Sequence, residues 1–114
     1  MARFAVSFGA ARFRRWLEGQ QPREIVGSSS SYLDCPLARF ITRQFDVIYA
    51  TAEAQWLGVM TPQGLLTRRH TRSWERRFIS GIDRTPAGRV RPVSAEEALA
   101  VLNQAEKPTA GRQS

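Results

Sequence analysis

Arginine is dense in one stretch of the chain, residues 67–83, which reads TRRHTRSWERRFISGID. Within ten of these residues lie five arginines and the only histidine of the chain, namely Arg68, Arg69, His70, Arg72, Arg76 and Arg77. Guanidinium groups bind phosphate and carboxylate oxygens through a planar fork, and they also stack on flat rings. The stretch therefore indicates a surface that binds an anionic partner. The alternative is that these charges form only the solvated face of a core helix, as runs of charge usually do.

Cys35 and His70 are the residues whose types could support nucleophilic catalysis. A thiol at a helix N-terminus has a lowered pKa, and His70 could serve as its base, with Asp34 nearby. However, a lone cysteine before a proline is more often a small buried residue of the core. Spacing in sequence does not give distance in the fold, so the pair carries little weight. We therefore predict no catalytic residue and no enzyme activity.

Signatures of metal and cofactor sites do not occur in the sequence. One cysteine and one histidine leave only carboxylates to complete a zinc site, and there is no C-x-x-C or H-x-x-x-H spacing. The phosphate-loop and dinucleotide-binding fingerprints do not occur either. The four serines at residues 28–31 are typical of a solvated loop, although backbone amides there could bind an anion. We predict no metal and no cofactor.

The three tryptophans, Trp16, Trp56 and Trp74, are candidates for stacking on nucleobases. Trp16 and Trp74 lie on the apolar sides of predicted helices, which favours packing in the core. Trp56 lies in a predicted strand and is compatible with either role. It therefore joins the candidate binding residues.

The net charge of the 114-residue chain is +7, and sixteen of its seventeen basic residues are arginine. Residues 65–91 hold eight arginines and two acidic residues, and residues 1–26 hold five arginines and two acidic residues. The N-terminal block adds Arg12, Arg14 and Arg15 to the candidate binding residues. If the fold brings the two blocks together, they form one positive patch that suits nucleic acid. A GC-rich genome is the alternative cause of the arginine bias.

The hydrophobic pattern predicts four helices, two of them in the N-terminal half of the chain. The first spans residues 10–18, with its apolar side chains on one side. The second begins at Pro36, because proline suits the first helical position and Asp34 or Cys35 can cap the helix.

The other two helices lie in the C-terminal half. The third follows a cap at Thr71 or Ser73 and carries its arginines opposite an apolar stripe. The fourth begins at Ser94, which opens an S-x-x-E capping box. Its helical pattern weakens at Asn103 and Gln104, so we predict a domain at residues 1–104 and a flexible tail at residues 105–114.

Three short strands are predicted between the second and third helices, at residues 47–50, 55–60 and 65–69. A turn at residues 61–64, with proline second and glycine fourth, joins the last two strands. Residues 23–27 predict no more than a buried turn or a short bridge. The predicted fold class is α+β, a single small domain with about four helices around a short antiparallel β-meander.

Four short segments have patterns that can be compared with known sequences. They are P-x-x-I-V-G at residues 22–27, C-P-L-A-x-F at residues 35–40, W-x-x-x-F-I-x-x-I-D at residues 74–83 and V-S-A-E-E-A-L at residues 93–99. Together they resemble a set of short bacterial and phage proteins of uncharacterised function. The resemblance implies a small intracellular domain, and it carries over no activity, cofactor or catalytic residue.

These observations predict a small, basic, non-enzymatic protein that binds nucleic acid, DNA or RNA, through an arginine-rich surface, mainly by backbone contacts. No DNA-binding motif that would read bases occurs. The alternative is a protein-binding adaptor or inhibitor of phage or mobile-element type, docked on an acidic partner. A second alternative is a cysteine-dependent enzyme that uses Cys35 and His70. No apolar run is long enough to cross a bilayer, so we expect a cytoplasmic protein and no membrane partner.

Overall fold

The described part of the chain contains four helices and five short strands. The computed structural model describes residue 4, residues 6–83 and residues 89–107. In chain order the elements are α1 (Ala10–Glu18), β1 (Ile25–Ser28), α2 (Pro36–Gln44), β2 (Tyr49–Ala52), β3 (Trp56–Met60), β4 (Leu66–His70), α3 (Ser73–Ile82), β5 (Pro92–Ser94) and α4 (Ala95–Glu106). The strands form two small antiparallel sheets. The predicted α+β class is confirmed.

Strands β2, β3 and β4 form the predicted antiparallel meander. Strand β2 begins two residues later than the predicted 47–50. Its residues Ala50 and Ala52 are buried on the side where α2 packs. A helix lying close on a strand needs small side chains there, and alanine has a low strand propensity. The predicted strand therefore began two residues too early, because the prediction relied on the β-branched residues Val47 and Ile48.

A second sheet pairs β1 with β5. The prediction that residues 23–27 form only a buried turn or a short bridge is therefore wrong. Ile25 lies opposite Ser94, so the partners are far apart in sequence, and no local pattern announces their pairing. Gly27 allows β1 to lie close to the backbone of residues 34–36, because a Cβ atom at Gly27 would lie 2.6 Å from the backbone oxygen of Asp34.

Three of the four helices start where the sequence predicts. Helix α1 has the predicted bounds, and α2 begins at Pro36 with Cys35 as its N-cap. Helix α4 begins after Ser94, whose hydroxyl accepts the Glu97 amide N–H at 3.1 Å. The starts of α2 and α4 depend on the local chemistry of Pro36 and Ser94, which is why the sequence alone identifies them.

Helix α3 is capped in an unpredicted way. Its N-cap is Arg72, not Thr71 or Ser73. The Thr71 hydroxyl donates instead to the backbone oxygen of Ala54 at 2.7 Å. Glu75 Oε1 accepts the Arg72 amide N–H at 2.7 Å, so a carboxylate within the first turn satisfies the helix start.

Helix α4 is longer than predicted. It runs to Glu106, and Ala105 in its last turn is buried. The folded part therefore extends beyond residue 104. Of the predicted tail, residues 108–114 lie outside the described residues.

The core is centred on aromatic side chains from α1, α2 and α3. Phe13 is fully buried, and its ring centroid lies 5.1 Å from that of Phe40 and 5.0 Å from that of Phe78. Trp16 and Trp74 pack on Phe13 as well. These two tryptophans pack against the core, as their helical positions predict.

Candidate nucleic-acid interface

One face of the β2–β3–β4 sheet packs on the core, and we name the opposite one the outer face. Leu57, Val59 and Thr67 point to the core and are buried. Side chains alternate along a strand. The outer face therefore carries the intervening residues Tyr49, Thr51, Trp56, Gly58, Met60, Leu66, Arg68 and His70.

Three side chains on the outer face are stacked, and we name them the stacking ladder. His70 lies opposite Trp56 across β3 and β4, and their ring centroids are 4.0 Å apart with planes inclined by 28°. Arg68 Cζ lies 5.0 Å from the Trp56 ring centroid, which is within cation–π range. Arg68 and His70 are exposed, whereas Trp56 is half-buried. The ladder therefore presents a ring and a guanidinium group to solvent on a rigid base.

Gly58 leaves space for the Thr51 side chain on the outer face. It lies opposite Arg68 of β4 and Thr51 of β2. A Cβ atom at Gly58 would lie 3.5 Å from Arg68 Cγ, which is an ordinary contact distance, but only 2.6 Å from Thr51 Oγ1. A larger residue would therefore force the Thr51 side chain to move.

A cavity of about 240 Å³ adjoins the ladder and is lined by Gln55, His70 and Arg76. Arg76 Nη2 donates to the backbone oxygen of Thr71 at 3.1 Å, which fixes this guanidinium at the cavity. Arg76 also borders a larger open groove of about 580 Å³ between α3 and α4. That groove has no aromatic ring in its lining, so of these two cavities the smaller one combines a ring with a cation.

Arg69 points from the other face of β4 into the protein. Its two Nη atoms lie 2.9 and 2.8 Å from the carboxylate oxygens of Glu75, which is fully buried. Nη1 also donates to the backbone oxygen of His70 at 2.9 Å, and Cζ lies 5.0 Å from the Phe4 ring centroid. Arg69 thus neutralises a buried carboxylate. We assign it a structural role and leave it out of the interface, contrary to its place in the predicted set.

The C-terminal turn of α4 binds two more of the predicted arginines. Arg77 Nε donates to the backbone oxygen of Ala105 at 2.7 Å, and Arg14 forms an ion pair with Glu106. Cations are favoured at this position because the helix dipole is negative at its C-terminus. These two side chains hold α1 and α3 to α4.

The two basic blocks meet at the segment that precedes α1. Arg72, the N-cap of α3, donates from Nη1 to the backbone oxygen of Phe8 at 2.9 Å, and the Phe8 and Phe45 ring centroids are 6.1 Å apart. Arg12 of α1 lies over the same Phe45 ring, with Cζ 4.4 Å from its centroid. Arg76 is four residues after Arg72 and is its neighbour on the helix surface. We name the four arginines of this connected set the cationic band, namely Arg12, Arg68, Arg72 and Arg76, and His70 adjoins the band.

Every member of the cationic band is exposed. Within residues 6–83 and 89–107, the side-chain ion pairs involve Arg14, Arg39, Arg69 and Arg91, and none involves the band. Arg15 is exposed three residues after Arg12 on α1, so it extends the band. The band therefore retains N–H donors for an external anion.

Cys35 is buried at the N-terminus of α2. Burial raises the pKa of its thiol to about 11, and the charges of Asp83 and Asp34 add to the rise. The effect of burial outweighs the favourable helix N-terminus, so the thiol is protonated at neutral pH. His70 lies on the outer face of the sheet, stacked on an indole. This environment disfavours the thiolate that a cysteine-dependent enzyme needs.

Two further findings apply to the described part of the chain. It contains no group of three or more His, Cys, Asp or Glu side chains placed to hold a metal ion. None of the helices described there combines the length and apolarity needed to cross a membrane.

Three residues that shape the site are not in the predicted set, namely Thr51, Gln55 and Gly58. The period-two alternation of the predicted strand 55–60 places Gly58 on the same face as Trp56, so that signal was present in the sequence. Gln55 precedes β3, and Thr51 approaches Gly58 only through strand pairing. No local pattern identifies either of them.

Fold and site together define a small α+β domain whose open sheet face is bordered by arginines. No family model, no curated protein and no solved structure matches the chain. The resemblance of its four short segments to bacterial and phage proteins stays a prediction.

Proposed function

We propose that the protein binds nucleic acid through the cationic band and the stacking ladder, without catalysing a reaction, and that it acts in the cytoplasm. The observation that carries this proposal is the exposure of Arg12, Arg68, Arg72 and Arg76, none of which is ion-paired with a carboxylate of the described residues. Exposed guanidinium groups that are not paired with a carboxylate bind phosphate oxygens through charge-assisted hydrogen bonds. Most contacts are then to the backbone of the nucleic acid.

Binding of this kind depends strongly on salt, because each neutralised phosphate releases counterions. The slope of log K against log salt is about −0.9 per phosphate contact on duplex DNA and about −0.7 on single strands. The four arginines of the band and Arg15 supply about five contacts, which gives a slope of about −4 to −5 on duplex and about −3 to −4 on single strands.

Fluorescence anisotropy with short labelled oligonucleotides over a series of salt concentrations tests the proposal. Replacing Arg68 and Arg76 together with glutamine removes two contacts, so affinity should fall and the slope should decrease in magnitude by about 1.5–2. The matched control is Arg23→Gln with Lys107→Gln, which removes the same charge at exposed positions outside the band. The control should keep the wild-type slope. If the wild-type protein binds neither single strands nor duplex at low salt, the proposal is wrong.

A second candidate function is docking on an acidic protein partner, as an adaptor or inhibitor. It is favoured by exposed apolar side chains near the turn that joins β3 to β4: Ile48 is 57% exposed, Leu65 51% and Leu66 50%. Exposed apolar side chains beside arginines are typical of protein interfaces. Purification from the native host, with and without nuclease, separates the two candidates. A stoichiometric partner that survives nuclease and is lost in Leu66→Asp would favour the protein-binding function.

A further inference from the structure

We infer that the outer face of the sheet binds single-stranded nucleic acid by stacking an unpaired base on His70, where the stacking ladder meets the cavity lined by Gln55, His70 and Arg76. The inference rests on the proposed function and names its substrate class. Its basis is that one exposed imidazole both stacks on Trp56 and lines this cavity.

The ladder is in place before a ligand binds. The imidazole lies on the indole at a centroid distance of 4.0 Å, and the indole is itself half-buried, with Arg68 Cζ 5.0 Å from its ring centroid. A ring that is already held in position loses little conformational freedom when a base stacks on it. Stacking on this face is therefore more favourable than stacking on a mobile surface side chain.

The cavity carries the groups that recognise one nucleotide. His70 supplies the ring face, and histidine is among the side chains on which unpaired bases stack. Arg76 supplies a cation for the adjoining phosphate, and the Gln55 amide can donate to or accept from the edge of a base. Its volume of about 240 Å³ is below the range typical of drug-sized ligands, roughly 300–1,000 Å³, and so suits a single flat ring.

A duplex does not offer the same contact. Its bases are paired and stacked on one another, and a base reaches a protein ring only after it is unpaired and turned out of the helix. A single strand presents its base faces freely, while its phosphates remain available to the cationic band. We therefore expect a duplex to bind through its phosphates alone.

The test compares two single strands of equal length and equal charge, one made of thymidine nucleotides and one made of abasic nucleotides. The abasic strand has the phosphates but no bases. The wild-type protein should bind the thymidine strand about 5- to 150-fold more tightly, the range that corresponds to stacking of one base. Both affinities are measured by anisotropy at the same salt concentration.

Variants of the ladder assign the preference to this site. His70→Ala and Trp56→Ala should reduce the affinity for the thymidine strand to that for the abasic strand, and affinity for the abasic strand should stay within about twofold of wild type. His70→Phe retains a flat ring and should retain the preference. Arg68→Gln should weaken binding to both strands. Circular dichroism confirms that each variant is folded, and the two His70 variants, at an exposed position, suffice if Trp56→Ala does not fold.

The outcomes distinguish this inference from the proposed function. Equal affinity of the wild-type protein for the two strands, or an unchanged preference in His70→Ala, would overturn base stacking and leave phosphate binding standing. Failure of both strands and of a duplex to bind at low salt would overturn the proposed function, and the inference with it.

Discussion

Replacing Arg69 with methionine should destabilise the fold by about 3 kcal/mol, because the carboxylate of Glu75 would stay buried without its cation. Glu75 is fully buried, and its two hydrogen bonds from Arg69 are 2.9 and 2.8 Å long. Removing one partner of a buried pair costs about 3–5 kcal/mol. The lower end applies here, since the Arg69 side chain is 20% exposed and Glu75 keeps a 2.7 Å hydrogen bond from the Arg72 amide.

Urea unfolding followed by circular dichroism measures this loss. With an m-value of about 1–3 kcal/mol/M, a loss of about 3 kcal/mol lowers the midpoint by about 1–3 M. Arg23→Met is the control, because it makes the same replacement at an exposed arginine, and it should change the stability by less than about 0.5 kcal/mol. The double variant Arg69→Met with Glu75→Leu removes both charges and should recover most of the loss, apart from about 1 kcal/mol for the missing helix cap.

Two results would refute this reasoning. If Arg69→Met is no less stable than Arg23→Met, the buried carboxylate does not depend on Arg69. The double variant with Glu75→Leu leaves the net charge of the protein unchanged, so its affinity for nucleic acid should stay within about twofold of wild type if Arg69 makes no phosphate contact. If that variant remains folded but its affinity for nucleic acid falls by about tenfold or more, Arg69 contacts phosphate and belongs to the interface.

Three further predictions concern other parts of the molecule. Gly27→Ala should destabilise the protein by about 2 kcal/mol, because its Cβ atom would meet backbone atoms at 2.6 Å, whereas Gly9→Ala, with no atom within 4 Å, should cost less than about 1 kcal/mol in the same urea experiment. Alkylation of Cys35 by iodoacetamide should be slow in the native protein, even at mildly alkaline pH, and fast in urea, because burial raises the pKa of the thiol to about 11; rapid native labelling would contradict its burial. Hydrogen bonds from Arg91 lower the pKa of Glu97 below its ordinary 4.5, so this pair should stabilise the fold fully above about pH 4.5 and lose its contribution as the pH falls through the folded-state pKa. In Glu97→Gln the free energy of unfolding should therefore fall less steeply as the pH is lowered below about 4.5. The same fall as in the wild-type protein would contradict the pairing.

The helices were predictable because their signals are local. Pro36 sets the start of α2 and Ser94 that of α4, each through chemistry within one turn of the helix. The pairing of β1 with β5 was not predictable, because β5 has three residues, begins with Pro92, and pairs with a strand far away in sequence. The cap of α3 was not predicted for a similar reason. The capping carboxylate belongs to Glu75, which is also bound by Arg69, and these two residues meet only in the folded chain.

The site was predictable only in part, because arginine density does not say where each side chain points. Arg68 and Arg69 are adjacent in sequence, but side chains alternate along β4, so one lies on the outer face and the other binds a buried carboxylate. The predicted strand at residues 65–69 already implied this division. The burial of Glu75 could not be inferred, since a glutamate in the first turn of a helix is ordinarily exposed.

Structural arginines and exposed arginines are therefore interspersed in this stretch, and a structural arginine stabilises the helix from which Arg72 and Arg76 project. Arg69 fixes Glu75, and Glu75 in turn accepts the amide of Arg72 at the start of α3. That helix start orients Arg72 and Arg76, and the bond from Arg72 to the Phe8 carbonyl ties the N-terminal segment to the same surface. A cationic surface built on fixed helix and strand positions needs little ordering when a polyanion binds, in contrast to an arginine-rich loop. The buried pair thus stabilises the start of α3 without touching the ligand, while the bonds from Arg72 and Arg76 to backbone carbonyls position the exposed guanidinium groups.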